Sequence, residues 1–502
     1  MMTKTERIDE QASWIGLERA DRPERPCPYL RRSFRLASAP RRAVLHWTAL
    51  GTAEISINGC RVDDGHLLPG WSDYRRRTQV MTTEVTDLLS LGENCIGAIL
   101  ADGWYSGSLL WFGGRNHYGT DPRLLAVLKV ELDNGESVAI ATDNTWRGRF
   151  GPILGSDLYH GETYDARREL AGWSEPDGAV PGWRKVTRFP PYTGSLVSKR
   201  CEPVRVTEEL KPGRPRKLRE GCWVFDFKQN FAGVCRLRIR GRRGQKVRLR
   251  FGEMLNPDGS VYRENLRSAR ATDTYICKGE GFEVWTPRFT FHGFRYVEVE
   301  GLEKAPGTSL LTGLVLHSDM RPTGGFECSH PDINSLQENI RWGMRSNFLD
   351  VPTDCPQRDE RLGWTGDAQV FVGTAGFLYD VRRFFEKWMH DLVDGQSPEG
   401  AFPDVAPDVL GAHVPHPPGN AAWADAGVIC PWVVYQLYGD TTILEENYES
   451  MVRWIDFQER TSNDLRRPPT VFGDWLAIDA VEPQRAPVPS DLVGTAYFAH
   501  TA

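Results

Sequence analysis

The pattern of hydrophobic and polar positions divides the chain into two β-rich regions followed by a helical region. In the N-terminal region, short apolar runs alternate with polar residues at a period of two, the spacing of a half-buried strand. Residues 53–57 run into Asn-Gly at 58–59, and residues 125–132 run into a second Asn-Gly at 134–135. Because Asn-Gly favours the tight turns of β-hairpins, the pattern predicts two hairpins within a β-sandwich of jelly-roll type.

A second β-rich region follows residues 195–220, whose prolines and mixed charges are typical of a linker. Residues 234–240 alternate, an Arg-Arg-Gly-Gln turn follows, and residues 246–251 alternate again, which predicts a hairpin in a second β-sandwich. The polar face of this hairpin carries only cations, namely Arg236, Arg238, Arg240, Lys246, Arg248 and Arg250. Since no aromatic residues are interleaved, the face favours a solvated or interdomain surface over a nucleic-acid site.

Near residue 325 the period changes to that of a helix. Apolar residues recur at spacings of three and four after Ser329, a candidate cap, and Pro331, which suits a first turn. Further helices are predicted at Thr365–Leu378, Val381–Asp394, Ala421–Tyr438 and Thr441–Thr461, and a last one begins near Ser490. Helices that follow one another without strands predict an α/α toroid of the (α/α)6 type. These segments amount to about half of such a ring, so we expect its first half, with an uncovered apolar face that favours a homo-oligomer.

The predicted domain organisation follows from these changes of period. We expect a β-sandwich accessory domain at residues 1–195, a second β-sandwich at 196–322 and the first half of the toroid at 323–502. A chain of 502 residues is long enough for each of these domains to have its own core.

Charge and cysteine content narrow the class of function. A net charge of −6 and a pI near 6.1 give no overall cationic field for nucleic acid or an anionic membrane. The chain has no long uninterrupted apolar run and no apolar signal segment near its N-terminus, so we expect neither a membrane protein nor a secreted one. Its 10 cysteines include no Cys-x-x-Cys pair, which indicates reduced thiols and favours a cytoplasmic location.

We expect no cofactor and no metal. His413 and His416 are the nearest approach to a ligand pair, but a proline stands between them and no third ligand is close in the sequence. A zinc site needs more ligands than this, so we interpret the pair as part of a loop.

The stretch 354–369, DCPQRDERLGWTGDAQ, concentrates chemically active side chains. It contains Asp354, Arg358, Asp359, Glu360, Arg361, Trp364 and Asp367. Carboxylates, fork-shaped guanidinium groups and one large aromatic face suit a polyol ring better than a buried core. Two glycines discourage a helix before Thr365, so the acids are predicted to lie on a loop that leads into a helix. We interpret the stretch as a sugar site.

Each of these residues also has a purely structural explanation. Asp367 could cap a helix, and the two arginines could form ordinary ion pairs. Most of the 17 tryptophans are expected in cores. The combination within one short stretch nevertheless favours a site. Glu360 is the best candidate acid, because neighbouring carboxylates and Trp364 should oppose its ionisation.

At these residues the chain resembles a known family. The stretch DVPTDCPQRDERLGWTGDAQVF is similar to the signature of bacterial α-L-rhamnosidases of glycoside hydrolase family 78. INGCRVDDGHLLPGWSDY and ADGWYSG resemble the N-terminal β domain of that family, and VFDFKQNFAGVCRLRI and FHGFRYVEVEG resemble its second, concanavalin-like β domain. WADAGVICPW and FGDWLAID resemble helices of its (α/α)6 barrel, so the resemblance spans nearly the whole chain.

The resemblance implies a hydrolase that removes terminal α-L-rhamnose with inversion. Glu360 would be the general acid, and the sugar would be held by Asp354, Arg358, Trp364, Asp367, Trp423 and Trp475. The general base of the family is a glutamate in a later barrel helix, in a region beyond Ala502. Because an inverting pair needs both carboxyl groups, we expect the chain alone to be weakly active or inactive. Two alternatives stay open: a sugar-binding protein without catalysis, and an inverting glycosidase for another deoxy-sugar.

Overall fold

The computed structural model describes residues 8–20, 25–111, 113–178, 181–411, 417–478, 480–481 and 486–502. The histidine pair at 413 and 416 lies outside the described residues. The chain forms two compact units. The first comprises Met1–Lys199, Pro203–His317 and Pro356–Glu360, and the second comprises Arg200–Glu202, Ser318–Cys355 and Arg361–Ala502.

In the N-terminal part of the first unit, the described residues form strands, 3-10 turns and one α-helical turn. The strands are β1 (Ile15–Gly16), β2 (Pro28–Leu36), β3 (Pro40–Leu50), β4 (Thr52–Ile57), β5 (Cys60–Arg61), β6 (Arg77–Glu84), β7 (Gly92–Ala101), β8 (Arg123–Leu132), β9 (Ser137–Ala141), β10 (Arg147–Phe150), β11 (Ile153–Asp157), β12 (Gly161–Asp165), β13 (Arg184–Lys185), β14 (Thr187–Arg188) and β15 (Ser195–Ser198). The helical turn is α1 (Gly103–Ser106).

Two sheets of this part pack as the predicted sandwich. One has the order β14-β1-β8-β3-β6-β15, with β9 added beside β8, and the other has the order β13-β10-β2-β7-β4-β5. Their inner faces share one core, to which Trp47 and Leu128 contribute from the first sheet and Leu30 and Ile55 from the second. Alternation along each strand therefore turns one face to the partner sheet and the other outwards.

Both predicted hairpins are confirmed. β4 pairs with β5 in the register Ile57↔Cys60, and Asn58 and Gly59 between them have φ of +49° and +84°. Positive φ at both central positions is the condition that Asn-Gly satisfies best. β8 and β9 pair in the same antiparallel manner around the second Asn-Gly.

The second β region has ten strands in its described residues, and eight of them belong to a ten-stranded sheet. Its strands are β16 (Val204–Leu210), β17 (Arg216–Arg219), β18 (Cys222–Ile239), β19 (Lys246–Gly252), β20 (Met254–Leu255), β21 (Val261–Tyr262), β22 (Thr272–Ile276), β23 (Glu283–Trp285), β24 (His292–Glu300) and β25 (Leu311–Ser318). The main order is β11-β12-β22-β19-β24-β18-β25-β16, with β17 and β23 paired to β18, whereas β20 and β21 form a separate two-stranded sheet. β11 and β12 thus extend this sheet, and the predicted domain boundaries remain predictions.

The predicted hairpin of β18 and β19 is wrong, although both strands exist. β24 lies between them and pairs with each. The arginines of β19 stand opposite acids of β24, in the registers Arg248↔Glu300 and Arg250↔Glu298. Pairing with a strand some fifty residues later in the chain buries the apolar face and neutralises part of the cationic face, which no local turn signal indicates.

The second unit carries the predicted run of helices. They are α2 (Pro331–Asn347), α3 (Thr365–Leu378), α4 (Arg382–Asp394), α5 (Ala426–Tyr438), α6 (Thr442–Arg460) and α7 (Ser490–Thr501), with the short strands β26 (Phe348–Leu349) and β27 (Val351–Pro352) after α2. α5 packs against α3, α4 and α6, and α4 also contacts α6. Contacts between alternate helices are those of helical hairpins side by side in two layers, as the predicted toroid requires.

α4 and α6 begin one residue later than predicted, and the starts of α2 and α5 differ for identifiable reasons. The N-cap of α2 is His330 rather than Ser329. α5 begins at Ala426 rather than Ala421, because the Asp425 carboxylate accepts a hydrogen bond from the backbone N–H of Ala422 and closes a separate turn. Among the described residues, none of the helices has both the length and the hydropathy to cross a bilayer.

Candidate active site

The segment Pro356–Glu360 belongs to the first unit and lies on its ten-stranded sheet. Gly293 of β24 allows this close approach, since a Cβ at that position would lie 2.8 Å from Pro356 Cγ. The Gln357 side-chain amide donates a hydrogen bond of 2.8 Å to Glu253. The first half of the acid-rich stretch is therefore held by residues of the second β region.

Asp359 and the backbone of Glu360 are fixed by two distant parts of the first unit. Arg267 donates from Nε to the Asp359 carboxylate at 2.5 Å and from Nη2 to the Asp359 carbonyl. The Ser268 hydroxyl donates to the other carboxylate oxygen at 2.5 Å. The Tyr159 hydroxyl donates to the Glu360 carbonyl. Because Asp359 is buried, these charge-assisted bonds compensate it and hold the chain on the N-terminal side of Glu360.

The Glu360 side chain ends between two guanidinium groups. Its Oε2 lies 2.9 Å from Arg267 Nη2 and 3.1 Å from Arg358 Nε, and the residue is only 8% exposed. Glu360 has φ of +153° and the following Arg361 has +49°. Such backbone conformations cost a non-glycine residue on the order of 1–3 kcal/mol and are characteristic of functional sites. The anchoring of Asp359 offsets this cost and aims the carboxylate.

In the second unit, Asp354 and Asp367 line one groove. Asp354 Oδ1 accepts from the Leu362 N–H and the Asp354 N–H donates to the Leu362 carbonyl, both at 3.0 Å, so its position is fixed by a closed loop. The groove has a volume of about 530 Å³ and lies between α2 and α3. Asp367 is in the first turn of α3 and exposed. The apolar wall of the groove includes Met344 and Phe371.

The three tryptophans predicted for sugar contact surround Phe472. The ring centroid of Phe472 lies 6.0 Å from that of Trp364, 4.6 Å from that of Trp423 and 5.4 Å from that of Trp475. Gly366 lies against the Trp423 ring, and a Cβ there would be 2.8 Å from it. The structure thus brings these aromatic faces together, and a larger residue at 366 would separate them.

A buried polar pair connects the elements that carry these aromatic residues. The Thr365 N–H and hydroxyl both donate to the Asp404 carbonyl at 2.9 Å. The Asn420 amide donates to Asp404 Oδ2 at 2.8 Å, and the Val471 N–H donates to Asn420 Oδ1 at 3.0 Å. Thr365 therefore bonds to another loop instead of capping α3, whose N-cap is Trp364. Burial raises the pKa of the Asp404 carboxyl to about 7.

A buried ion cluster lies at the start of the signature stretch. Lys387 of α4 donates to the Asp350 carbonyl at 3.0 Å and to its carboxylate at 2.9 Å, and the Asp391 carboxylate is also 2.9 Å away. Burial opposes the charge of Lys387, but the two carboxylates outweigh it and raise its pKa above the usual value. Asp350, with φ of +67°, is the first residue of that stretch. The cluster therefore holds the first residue of the signature stretch in position.

Sequence reasoning missed several residues that position the candidate site. Asp404 had a signal, since it is a lone acid in the apolar run AFPDVAP. Arg267, Ser268 and Tyr159 had none, because each is about ninety or more residues from its partner. The catalytic and sugar-binding roles given to Glu360 and the six sugar-contact residues stay predictions.

Family models for three consecutive domains match the chain. They are the bacterial alpha-L-rhamnosidase N-terminal domain at residues 38–208, the concanavalin-like domain at 216–317 and the six-hairpin glycosidase domain at 321–502. The chain belongs to the bacterial alpha-L-rhamnosidase family, glycoside hydrolase family 78. The expected resemblance and fold class are confirmed.

Members of the rhamnosidase family with known sequences or structures are similar over nearly the whole chain. An alpha-L-rhamnosidase of Streptomyces avermitilis is 46% identical over 477 residues, which cover 94% of this chain and 45% of that protein. The crystal structure of a Streptomyces avermitilis alpha-L-rhamnosidase complexed with L-rhamnose matches with a TM-score of 0.90 at 45% identity, over 95% of this chain and 45% of that one. The native enzyme from Aspergillus terreus matches with a TM-score of 0.94 at 38% identity, over 98% and 58%. This chain spans about half the length of the curated relatives that it matches.

Proposed function

We propose that the chain belongs to an α-L-rhamnosidase that removes terminal α-L-rhamnose with inversion, and that Glu360 is the general acid. The observation that carries the proposal is the Glu360 carboxyl group, aimed by a positive-φ turn between Arg267 and Arg358. As the bond between C1 and the leaving oxygen breaks, Glu360 gives its proton to that oxygen and becomes a carboxylate. The two guanidinium groups stabilise the carboxylate at that moment.

For the second unit we propose contacts with the sugar. The cluster of Trp364, Trp423 and Trp475 offers aromatic faces that can stack on the C–H face of rhamnose. Asp354 and Asp367, which share a groove, are suited to accept hydrogen bonds from hydroxyl groups. The relative from Streptomyces avermitilis, crystallised with L-rhamnose, supports a rhamnoside as the substrate.

Inversion needs a second carboxylate, which takes a proton from the attacking water while the water oxygen bonds to C1. We propose that this base is supplied by a part of the family fold outside these 502 residues. The chain by itself should then turn over rhamnosides slowly or not at all.

The test compares two rhamnosides, one with nitrophenol and one with a sugar hydroxyl as the leaving group. Turnover of each is measured with the unmodified chain and with Glu360→Gln. Azide needs no base, so it should attack C1 in place of water and raise turnover by the unmodified chain. Glu360→Gln should turn over the substrate with the sugar leaving group about 10²–10⁴-fold more slowly than the unmodified chain. Its turnover of the nitrophenyl substrate should fall much less, because nitrophenol leaves without a proton. Glu264→Gln, an exposed acid of the same unit, is the matched control.

The outcomes separate the alternatives. Equal turnover by Glu360→Gln and the chain with the sugar leaving group would refute Glu360 as the acid. Binding of L-rhamnose without turnover, even with azide, would favour a sugar-binding protein. Faster turnover of another deoxy-glycoside would favour the glycosidase of different specificity. Robust turnover without azide would refute the proposed external base.

We also propose a reducing compartment, such as the cytoplasm. All 10 cysteines lie in the described part of the chain and are recorded there without a disulfide, and Cys60 is exposed. A titration of thiols on the unfolded protein, purified without reductant, should find all ten. A smaller number that dithiothreitol restores would contradict the proposal.

A further inference from the structure

A second cleft lies in the first unit, where β11 and β12 join the ten-stranded sheet. Its volume is about 330 Å³, at the lower end of the roughly 300–1,000 Å³ of small-molecule sites. Arginine dominates its lining, with Arg25, Arg115, Arg248, Arg250, Arg263 and Arg270. One carboxylate, Asp157, is among the lining residues. The cleft therefore has a large excess of positive charge.

The strand register builds the floor of this cleft. Thr163 of β12 pairs with Thr274 of β22, which in turn pairs with Arg248 of β19. In the next row, Thr272 pairs with Arg250. Residues that pair across strands lie on the same face, so hydroxyl groups and guanidinium groups stand side by side. The guanidinium groups of these rows can only donate hydrogen bonds, and the threonine hydroxyl groups beside them can donate as well.

Part of the positive charge is already compensated, and part is not. Arg248 and Arg250 contact Glu298 and Glu300 at 2.8–3.0 Å. Within the described part of the chain, Arg263 and Arg270 form no ion pair. Burial, and next the like charge of Arg250, lowers the pKa of the Arg263 guanidinium. Arg263 Nη1 donates to the Arg270 carbonyl at 3.4 Å, which leaves its charge uncompensated, so both guanidinium groups can bind an external anion.

Ser156 gives an independent indication of a ligand. It lines the cleft, is only 6% exposed, and its hydroxyl has no hydrogen-bond partner among the described residues. A buried hydroxyl without a partner costs stability. An acceptor in the cleft would satisfy it.

We propose that this cleft binds an oxyanion carried by a saccharide, that is, a sulfate or a carboxylate group. The anion follows from the arginines and from Ser156. The saccharide rests on the proposed function, because the loops that line the cleft also hold the candidate acid. Tyr159 precedes the lining residue His160 and bonds to Glu360, and Arg267 lies between Arg263 and Arg270 and bonds to Asp359.

Nucleic acid fits the cleft less well. Single strands bind through bases stacked on aromatic side chains, and the lining residues that the structure describes include no Phe, Tyr or Trp. A guanidinium pair and a row of hydroxyl groups match one compact anionic group, since bidentate bonds to a carboxylate or sulfate use the fork of arginine.

Calorimetric titration of the chain with glucuronate, glucose 6-sulfate, inorganic sulfate and glucose tests the proposal. The sugar anions should bind more tightly than sulfate, and glucose should not bind. Arg263→Gln and Arg270→Gln should each weaken binding about tenfold, the usual loss for a charged hydrogen bond. Ser156→Ala should weaken it without lowering the unfolding temperature. The matched control is Arg238→Gln with Arg240→Gln, two exposed cations of the same domain that do not line the cleft.

Each of the other outcomes would refute one part of the proposal. Sulfate binding as tightly as the sugar anions would refute a saccharide ligand. Absence of binding, or binding unchanged in the cleft variants but lost in the control, would refute the site. Turnover of a neutral rhamnoside does not use the cleft, so its failure beside intact anion binding would refute only the proposed function.

Discussion

At the scale of single residues, Asp404 couples protonation to stability. Its side chain is 5% exposed, Oδ2 accepts from Asn420, and Oδ1 has no hydrogen-bond partner in the described part of the chain. Burial raises its pKa to about 7, the Asn420 hydrogen bond acts against this, and the charge of Asp408 adds to it. The neutral carboxyl group is therefore the form that the folded state prefers.

This preference predicts a stability that falls as the pH rises. In the unfolded chain Asp404 ionises near its ordinary value, about 3.9, so the folded state binds more protons between that pH and 7. The stabilisation is complete below about pH 4 and is lost as the pH passes 7, with a total on the order of a few kcal/mol. Asp404→Asn, which stays neutral, should exceed the unmodified chain in stability at pH 8 and equal it at pH 4. Urea unfolding at both values measures the difference.

The control for this experiment is an exposed acid of the same unit, Asp474→Asn. Its difference from the unmodified chain should not change with pH. If Asp404→Asn shows the same constant difference, the carboxyl group is ionised in the folded state and the argument fails.

The residues of the candidate site were predictable only where chemistry is concentrated in sequence. Glu360 and its neighbours stand together in one stretch, and their residue types alone indicated a sugar site. Arg267 could not be found in this way, because it lies 92 residues before Asp359 in the sequence. The expected surroundings of Glu360 were also incomplete, since two guanidinium groups contact its carboxylate. Long-range partners of this kind leave no periodic or local signal.

At the scale of elements, the strength of the local pattern decided what could be predicted. α3 has the predicted bounds, Thr365–Leu378, and Gly439 ends α5 in the left-handed conformation that glycine favours. The pairing of β18 and β19 was mispredicted, because alternation shows which residues face inwards but not which strand is the neighbour. β24 takes that place through burial and ion pairs, which depend on the tertiary fold.

Lys387 of α4 holds the beginning of the signature stretch in place through Asp350. This cation is 5% exposed and lies between Asp350 and Asp391, which are 2% and 1% exposed. Lys387→Met should lower the free energy of unfolding of the helical unit by about 3–5 kcal/mol, since it leaves two buried carboxylates without their cation. Chemical unfolding followed by tryptophan fluorescence measures the loss.

Two further variants give this prediction its contrast. Arg383→Met removes an exposed cation from the same helix and should change stability by less than about 0.5 kcal/mol. Adding Asp350→Asn and Asp391→Asn to Lys387→Met should recover part of the loss, because the buried charges are then gone. A loss equal to that of Arg383→Met would show that the cluster contributes little.

At the scale of the whole molecule, the helical unit exposes apolar residues that cores normally bury. Val370 and Phe377, seven residues apart on α3, are 73% and 77% exposed. On α2, Ile333 and Leu336 are 46% and 58% exposed. Positions seven apart lie on one side of a helix, so these two side chains form an apolar stripe on α3. The family fold predicted from the sequence accounts for helices here, whereas the extent of uncovered surface is visible only in three dimensions.

This stripe predicts that the 502-residue chain self-associates. Contiguous exposed apolar surface is rare on monomers and is removed from water by contact with a second copy. Sedimentation velocity at micromolar concentration should show dimers or larger species that dissociate on dilution. Val370→Ser with Phe377→Ser should shift the distribution to monomer. Tyr448→Ser with Val452→Ser removes two exposed apolar side chains from α6, 65% and 39% exposed, and should leave association unchanged. A chain that sediments as a monomer at every concentration would show that the stripe is tolerated in water.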